Sequence, residues 1–252
     1  MRQAISVLPV DGIGEIPVGA DIARIITDAL AAQQLPLHQD DIIVITQKII
    51  SKAEGRVVDP TTYAPSHMAN MAAAQGHKDA HYYEVVLQES KRIVKMDRGV
   101  LICETHHGLI CANAGVDESN VDGGRHITLL PVDPDASAQQ IRTTLMQQHG
   151  IRCAIIVSDT FGRAWRDGQV NVAIGVAGML PLDSYAGIDD PYGYRMQASV
   201  LAIADEIAAA AELVMGKIDR VPVAIVRGVT YVVDTDATAQ LLIRPANKDL
   251  FR

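Results

Sequence analysis

Short apolar runs alternate with amphipathic stretches along the chain, a pattern that predicts strands and helices mixed throughout its length. Residues 3–10 (QAISVLPV) read as a strand ending at Pro9. The segment 20–32 is predicted to be a helix, because Ile22, Ile25, Ile26 and Leu30 recur on one helical face. DIIVIT at 41–46 is short, apolar and β-branched, which is the pattern of a buried strand. QKIISKAEG at 47–55 turns polar again and stops at glycine. Residues 60–96 are helical in composition after the start signal Pro60-Thr61-Thr62. Residues 99–110 alternate strand and turn signals as a hairpin does, 111–124 carry the Asn, Asp and Gly of a loop, and 126–132 read as a strand.

The second half is more sharply written. Residues 136–149 predict a helix that stops at Gly150. IRCAIIV at 151–157 is the most evident buried strand, with Ser158-Asp159-Thr160 closing it. Residues 199–215 predict a helix with Val200, Ile203, Ile207, Ala211 and Val214 on one face, and Gly216 stops it. VPVAIV at 221–226 is the last strong strand. Strict βαβ alternation is absent, so the expectation is an α+β fold of mixed sheets and packed helices rather than a doubly wound sheet. Neither a repeat nor a low-complexity linker interrupts the 252 residues, so 1–252 is expected to be one domain, with two subdomains whose boundary the pattern does not place.

Composition narrows the choices. Aromatic residues are only 4 %, so the core must be aliphatic. The net charge of −8 and the lack of any Lys/Arg run exclude a general grip on nucleic acid. An acidic protein still holds a phosphorylated ligand where a metal bridges the charges. The three cysteines, with no CxxC, argue against a disulfide framework and a structural zinc site. Cys103 and Cys153 sit in apolar runs and read as core residues. The N-terminus lacks the apolar stretch of a signal peptide, and no run reaches the roughly 18 residues that span a membrane. A cytoplasmic location is expected.

Four constellations carry candidate chemistry. In Asn113-Ala114-Gly115-Val116-Asp117-Glu118-Ser119-Asn120, oxygen donors suit hard cations or phosphates, and Asp117 and Asn120 share one tight turn; plain turn chemistry explains the same residues. Ser158-Asp159-Thr160-Phe161-Gly162-Arg163-Ala164-Trp165-Arg166 follows an apolar strand, at the kind of position where sheets gather ligands. A carboxylate and a hydroxyl there suit a metal, and two arginines suit an anion; a helix N-cap at Asp159 or Thr160 is the bland alternative. Gln47-Lys48 and Lys52 follow the strand at 41–46 and could reach phosphates, or line a solvated helix face. Asp11-Gly12-Ile13-Gly14 offers exposed backbone amides to a phosphate or a base, although a simple turn is the more ordinary reading. A Walker A loop is absent, and the adjacent His106 and His107 make a poor chelate.

Several of these segments together resemble one family, the coenzyme F-420: γ-glutamyl ligases. The matching runs include LPVDGIGEIPVGAD, ANAGVDESNV, SDTFGRAWRDGQVNVAIGVAG and VPVAIVRG, in family order and almost end to end. The resemblance implies an intertwined homodimer and a GTP-dependent ligation of L-glutamate onto F-420-0, a deazaflavin with a phospholactate tail. It implies an acyl phosphate at the tail carboxylate, further glutamates linked through the γ-carboxyl, and release of GDP and phosphate. Mg or Mn is implied, in a two-metal site held by Asp117, Asp159 and Thr160, and potassium is admitted as a further cation. Asp11, Gly12, Ile13, Gly14, Gln47, Lys48, Lys52, Asn120, Met215, Gly216 and Lys217 match the nucleotide pocket. Arg163 and Arg166 are assigned here to the anionic substrate or the acyl phosphate.

Departures from the family pattern are also legible. Some members carry an acidic metal ligand where Lys217 stands; an arginine of KDPR is missing at Ala80-His81, and another at Ala186. They leave open a related acidic acceptor in place of F-420-0, or a non-catalytic nucleotide-binding homologue. The flavin-binding nitroreductase-like extension of some members is not expected, because the sequence stops at Arg252.

Overall fold

The computed structural model describes residues 4–119 and 121–249. At its centre is a five-stranded mixed sheet. Its strands are β1 (Ser6–Pro9), β2 (Asp41–Thr46), β8 (Cys153–Arg163), β9 (Arg166–Ala177) and β12 (Val223–Arg227). They lie in the order β1-β12-β2-β8-β9, with β2 and β8 parallel and the other neighbours antiparallel.

Both faces of this sheet are covered, which is why β2 is apolar from Ile42 to Ile45 and β8 from Cys153 to Val157. Ile43, Ile45, Ile155, Val157, Val223 and Ile225 point to one face. There they meet α1 (Ile22–Ala32), α2 (Gln47–Ala53) and α5 (Pro134–His149). Ile42, Val44, Ala154, Ile156, Ala224 and Val226 point the other way, onto α6 (Ile203–Met215). Alternation with period two thus builds two cores from one set of strands.

A third apolar cluster lies in the stretch between α2 and α5. It packs α3 (His67–Ala73) and α4 (Ala80–Gln88) on a three-stranded sheet of β4 (Ser90–Asp97), β5 (Val100–Thr105) and β6 (Ile110–Ala112). A two-stranded pair, β3 (Val57–Val58) with β7 (Ile127–Thr128), closes the segment. A second short pair, β10 (Asp183–Ser184) with β11 (Val200–Leu201), bases an exposed ribbon before α6. Cys103, Cys111 and Cys153 are free and buried. No helix among the described residues is long and apolar enough to cross a membrane.

The mixed architecture agrees with the α+β expectation, and the buried strand at Asp41–Thr46 falls where the pattern placed it. Three readings need correction. The strand at 151–157 does not close at Ser158: β8 continues to Arg163, paired with β9, so Asp159 and Thr160 lie inside a strand and neither caps a helix. The helical composition of 60–96 breaks at residue 90, where SKRIVKMD forms β4; pairing with β5 overrides the helix propensity of its charged residues. The helix at 199–215 begins only at Ile203, and its buried row is Ala204, Ile207, Ala208, Ala211 and Met215. Val200 belongs to β11, and Val214 is only partly buried.

Candidate active site

Four chain segments arrive at one end of the central sheet. β1 leads through Val10 into the loop at 11–16, β2 passes directly into α2, and α6 turns through 216–222 into β12. Two backbone bonds hold these ends side by side: Val10 N–H donates to Val223 O at 2.9 Å, and Thr46 N–H to Pro222 O at 2.9 Å. β8 is the longer strand here. Ser158 is level with Thr46, the last residue of β2, so Asp159 and Thr160 stand beyond the β2 end. Carboxyl ends of parallel strands collect ligands because their backbone groups and following loops open there together.

Successive strand side chains face opposite ways, so Asp159 and Thr160 look to opposite sides of the sheet. Asp159 is in electrostatic reach of Asp117, Lys48 and Lys217. Burial pushes its carboxyl up to about 7; the Thr160 N–H pulls it down, the charge of Asp117 adds to the rise, and Lys48 and Lys217 oppose it. Asp117 is also desolvated, yet the Lys48 ammonium and two Ser119 bonds outweigh burial and hold its carboxyl below the usual range. Lys48 Nζ donates to Asp117 Oδ2 at 2.7 Å, Ser119 O at 2.7 Å and Ser119 Oγ at 2.9 Å.

Asp117 is placed by strained backbone. Asn113, Ala114 and Gly115 take φ of 51°, 53° and 73°, one left-handed turn of which two residues are not glycine. Leu101 N–H donates to Asn113 Oδ1 at 3.2 Å and fixes that turn. Gly115 packs so closely on Leu130 that a Cβ would lie 2.8 Å from it. Asp117 then pairs through its backbone with Thr128 of β7.

On the other side of β8, Thr160 Oγ1 donates to Asn171 Oδ1 at 2.6 Å, and Asn171 Nδ2 donates to Glu212 Oε2 at 2.7 Å. Lys217 Nζ bonds Thr160 Oγ1 and lies 3.3 Å from Glu212 Oε1. Asn171 and Glu212 are site neighbours that the motif reading passed over. A glutamate near a helix C-terminus runs against the helix dipole, and that misfit was the available signal for Glu212.

The remaining candidates spread around this centre. Lys52 pairs with Glu15 of the first loop at 2.9 Å, and Lys52 followed by Arg220 holds the Glu15 carboxyl below its ordinary value. Gln47 is buried and accepts from Ser51 Oγ at 2.7 Å. Asp11 and Gly14 are exposed and Ile13 is core; Gly12 has a φ of 80°. Met215 is buried, and Gly216 turns the chain with a φ of 59°, where a Cβ would lie 2.1 Å from Asp219 Oδ2. Arg163 and Arg166 face each other at the exposed tip of the β8–β9 hairpin, and Arg163 bonds the turn carbonyls of Asp167 and Gly168. Asn120 lies outside the described residues.

Among the described residues, no three His, Cys, Asp or Glu side chains converge into a metal cage of protein groups alone. The two carboxylates of Asp117 and Asp159 fit a different pattern, while the Thr160 hydroxyl lies on the other side of β8. Mg²⁺ commonly takes one or two carboxylates and completes its shell with water and substrate phosphates, and Mn²⁺ shares the preference for oxygen.

One end of the mixed sheet thus gathers two carboxylates, Asp117 and Asp159, with Lys48, Lys217 and a glycine-bearing loop. The family model described as F420-0:Gamma-glutamyl ligase matches residues 12–228, and the chain belongs to that family. The Coenzyme F420:L-glutamate ligase of Methanothermobacter thermautotrophicus is 43 % identical over 252 residues, 99 % of this chain and 100 % of that protein. Proteins of the same name from Methanocaldococcus jannaschii and Methanopyrus kandleri are 42 % and 37 % identical, over 94 % and 93 % of this chain and 94 % and 92 % of their own lengths.

Proposed function

We propose that this protein is a ligase joining L-glutamate to F-420-0, driven by GTP and a divalent cation. The observation that carries the reading is the Lys48–Asp117 pair facing Asp159 beyond the end of β2, in a chain with full-length relatives of that name. Phosphoryl transfer between two anions needs positive charge at the transferring group, and in this reading Lys48, Lys52 and the cation held by the carboxylates supply it.

The loop at 11–14, with Gln47, Lys48, Lys52 and the turn at Met215-Gly216, binds and orients GTP in this reading. Asn120 contributes a nucleotide contact. Asp117 and Asp159 hold Mg²⁺ or Mn²⁺, which neutralises phosphate charge when bound. The γ-phosphoryl group passes to the tail carboxylate of F-420-0, breaking its bond to GDP and forming an acyl phosphate. The glutamate amine then attacks the acyl carbon, phosphate leaves with the bonding pair, and the nitrogen sheds a proton. Arg163 and Arg166 meet the anionic acceptor or the acyl phosphate. A second glutamate adds through the γ-carboxyl of the first. Potassium is a further cation for the same phosphate-lined space.

The test is a mass measurement. Protein, F-420-0, L-glutamate, GTP and Mn²⁺ or Mg²⁺ are incubated, and products are weighed. The expected result is a ladder rising by glutamate units, with GDP formed only when acceptor and glutamate are both present. GTP binding without addition of glutamate would overturn F-420-0 as the acceptor and direct the search to other acidic carboxylates.

A further inference from the structure

The side of β8 opposite Asp159 carries a closed ring of polar side chains drawn from three elements and a turn. Thr160 on β8 donates to Asn171 on β9, Asn171 donates to Glu212 on α6, Glu212 pairs with Lys217, and Lys217 donates back to Thr160. A hydroxyl has one proton and two lone pairs, so Thr160 gives its proton to Asn171 and accepts from Lys217. Glu212 is the sole carboxylate in this ring, and each of its oxygens already meets a donor. The ring is therefore neutral overall. A divalent ion entering it would meet a carboxylate already compensated and an ammonium close by, which repels it.

A tight turn at Gly216 carries Lys217 out of α6. Gly216 sits in the left-handed region, and its lack of a Cβ lets the turn close against Asp219. The Lys217 side chain is 57 % exposed, so a ligand reaches it without any rearrangement of the core. A lysine ammonium is a compact point charge well suited to phosphate oxygens.

We propose that Lys217 is the fixed cation on the Thr160 side of the site, standing where a second divalent ion would otherwise be needed and binding a phosphate oxygen of the nucleotide. The site then works with one divalent ion, at Asp117 and Asp159, in place of the two expected from family resemblance. The inference rests on the ligase reading given above and refines how that site gathers its charge.

The experiment counts Mn²⁺ by electron paramagnetic resonance, with a saturating non-hydrolysable GTP analogue, and measures affinity for the analogue. The wild-type chain is expected to bind one Mn²⁺, and Lys217→Glu to bind two. Lys217→Met is expected to weaken analogue binding about tenfold, the size of one lost charge-assisted hydrogen bond. Three results overturn the inference and leave the ligase reading standing: two ions in the wild type, one ion in Lys217→Glu, or unchanged affinity in Lys217→Met. A wild-type chain that binds neither Mn²⁺ nor the analogue overturns both.

Discussion

At the scale of single residues, Asp159 is the position on which the proposed chemistry turns. It lies inside a paired strand, so its backbone has little freedom, and its carboxyl is pushed up to about 7 chiefly by burial. A carboxylate held in so desolvated a place is kept for something that stabilises its charge. Asparagine has nearly the same shape without that charge. Asp159→Asn should fold normally and lose at least about a hundredfold in turnover, the usual cost of removing one charge-stabilising group from a transition state. Steady-state rates and the thermal midpoint, measured together, check this; full activity in the variant would remove the metal-assisted mechanism. Lys48 does a different task, because its three bonds to Asp117 and Ser119 tie the loop after the left-handed turn to the start of α2.

At the scale of elements, the outer edge of β9 shows how helices from both faces finish the central sheet. β9 is an edge strand, and edge N–H groups invite unwanted pairing. Asp135 on α5 accepts from Val176 N–H at 2.8 Å and from Ala239 N–H at 2.9 Å. Asp205 on α6 accepts from Ala173 N–H at 2.8 Å. Burial raises both carboxyls above their ordinary values. A raised carboxyl favours the fold most when protonated, so its contribution is fully present below the unfolded value near 3.9 and is lost as pH climbs through the folded value. Asp135→Asn and Asp205→Asn keep the acceptor oxygen and remove the titration. Relative to the double Asn variant, the wild-type chain should therefore lose stability from about pH 4 upward and level off above the raised values. Urea unfolding across that range measures it, and parallel curves would refute it.

At the scale of the whole molecule, polar side-chain contacts mark the two ends of the central sheet. At the end away from the site, Arg227 Nε and Nη2 hold the buried Asp41 at 2.8 and 2.7 Å. At the site end, Lys48 and Asp117 join the central sheet to the segment of the third cluster. The ribbon between β10 and β11 is different. It exposes Ile188, Tyr192 and Tyr194, with Tyr192 at 95 %. Exposed apolar side chains of this kind are candidates for an interface, and a second copy of this chain is the partner proposed. The protein should sediment at twice its chain mass of 27.1 kDa. The Tyr192→Asp, Tyr194→Asp double variant should sediment as a single chain with an unchanged thermal midpoint. A wild-type chain that sediments singly would refute the homodimer.

Local pattern was enough for whatever depends on local pattern. Apolar β-branched runs marked β2, the start of β8 and β12, because a strand covered on both faces has no polar side to disguise it. Gly150, which ends α5, was readable as a stop signal, whereas the start at Pro134, capped by Asp133, lies two residues before the predicted one. The motifs around Asp117 and Asp159 were visible as clustered oxygen donors, and family resemblance gave them roles. Sequence could not tell that β8 continues through Ser158-Asp159-Thr160, since that depends on pairing with β9. Nor could it tell that SKRIVKMD is a strand, because β5 supplies the hydrogen bonds. The ring of Thr160, Asn171, Glu212 and Lys217 spans up to 57 residues of chain, and its members meet only when α6 packs across the sheet. Propensity and periodicity are properties of neighbours in sequence and were fixed by the sequence itself. Which carboxylate is desolvated, and which lysine reaches it, depends on neighbours in space and was decided by the tertiary structure alone.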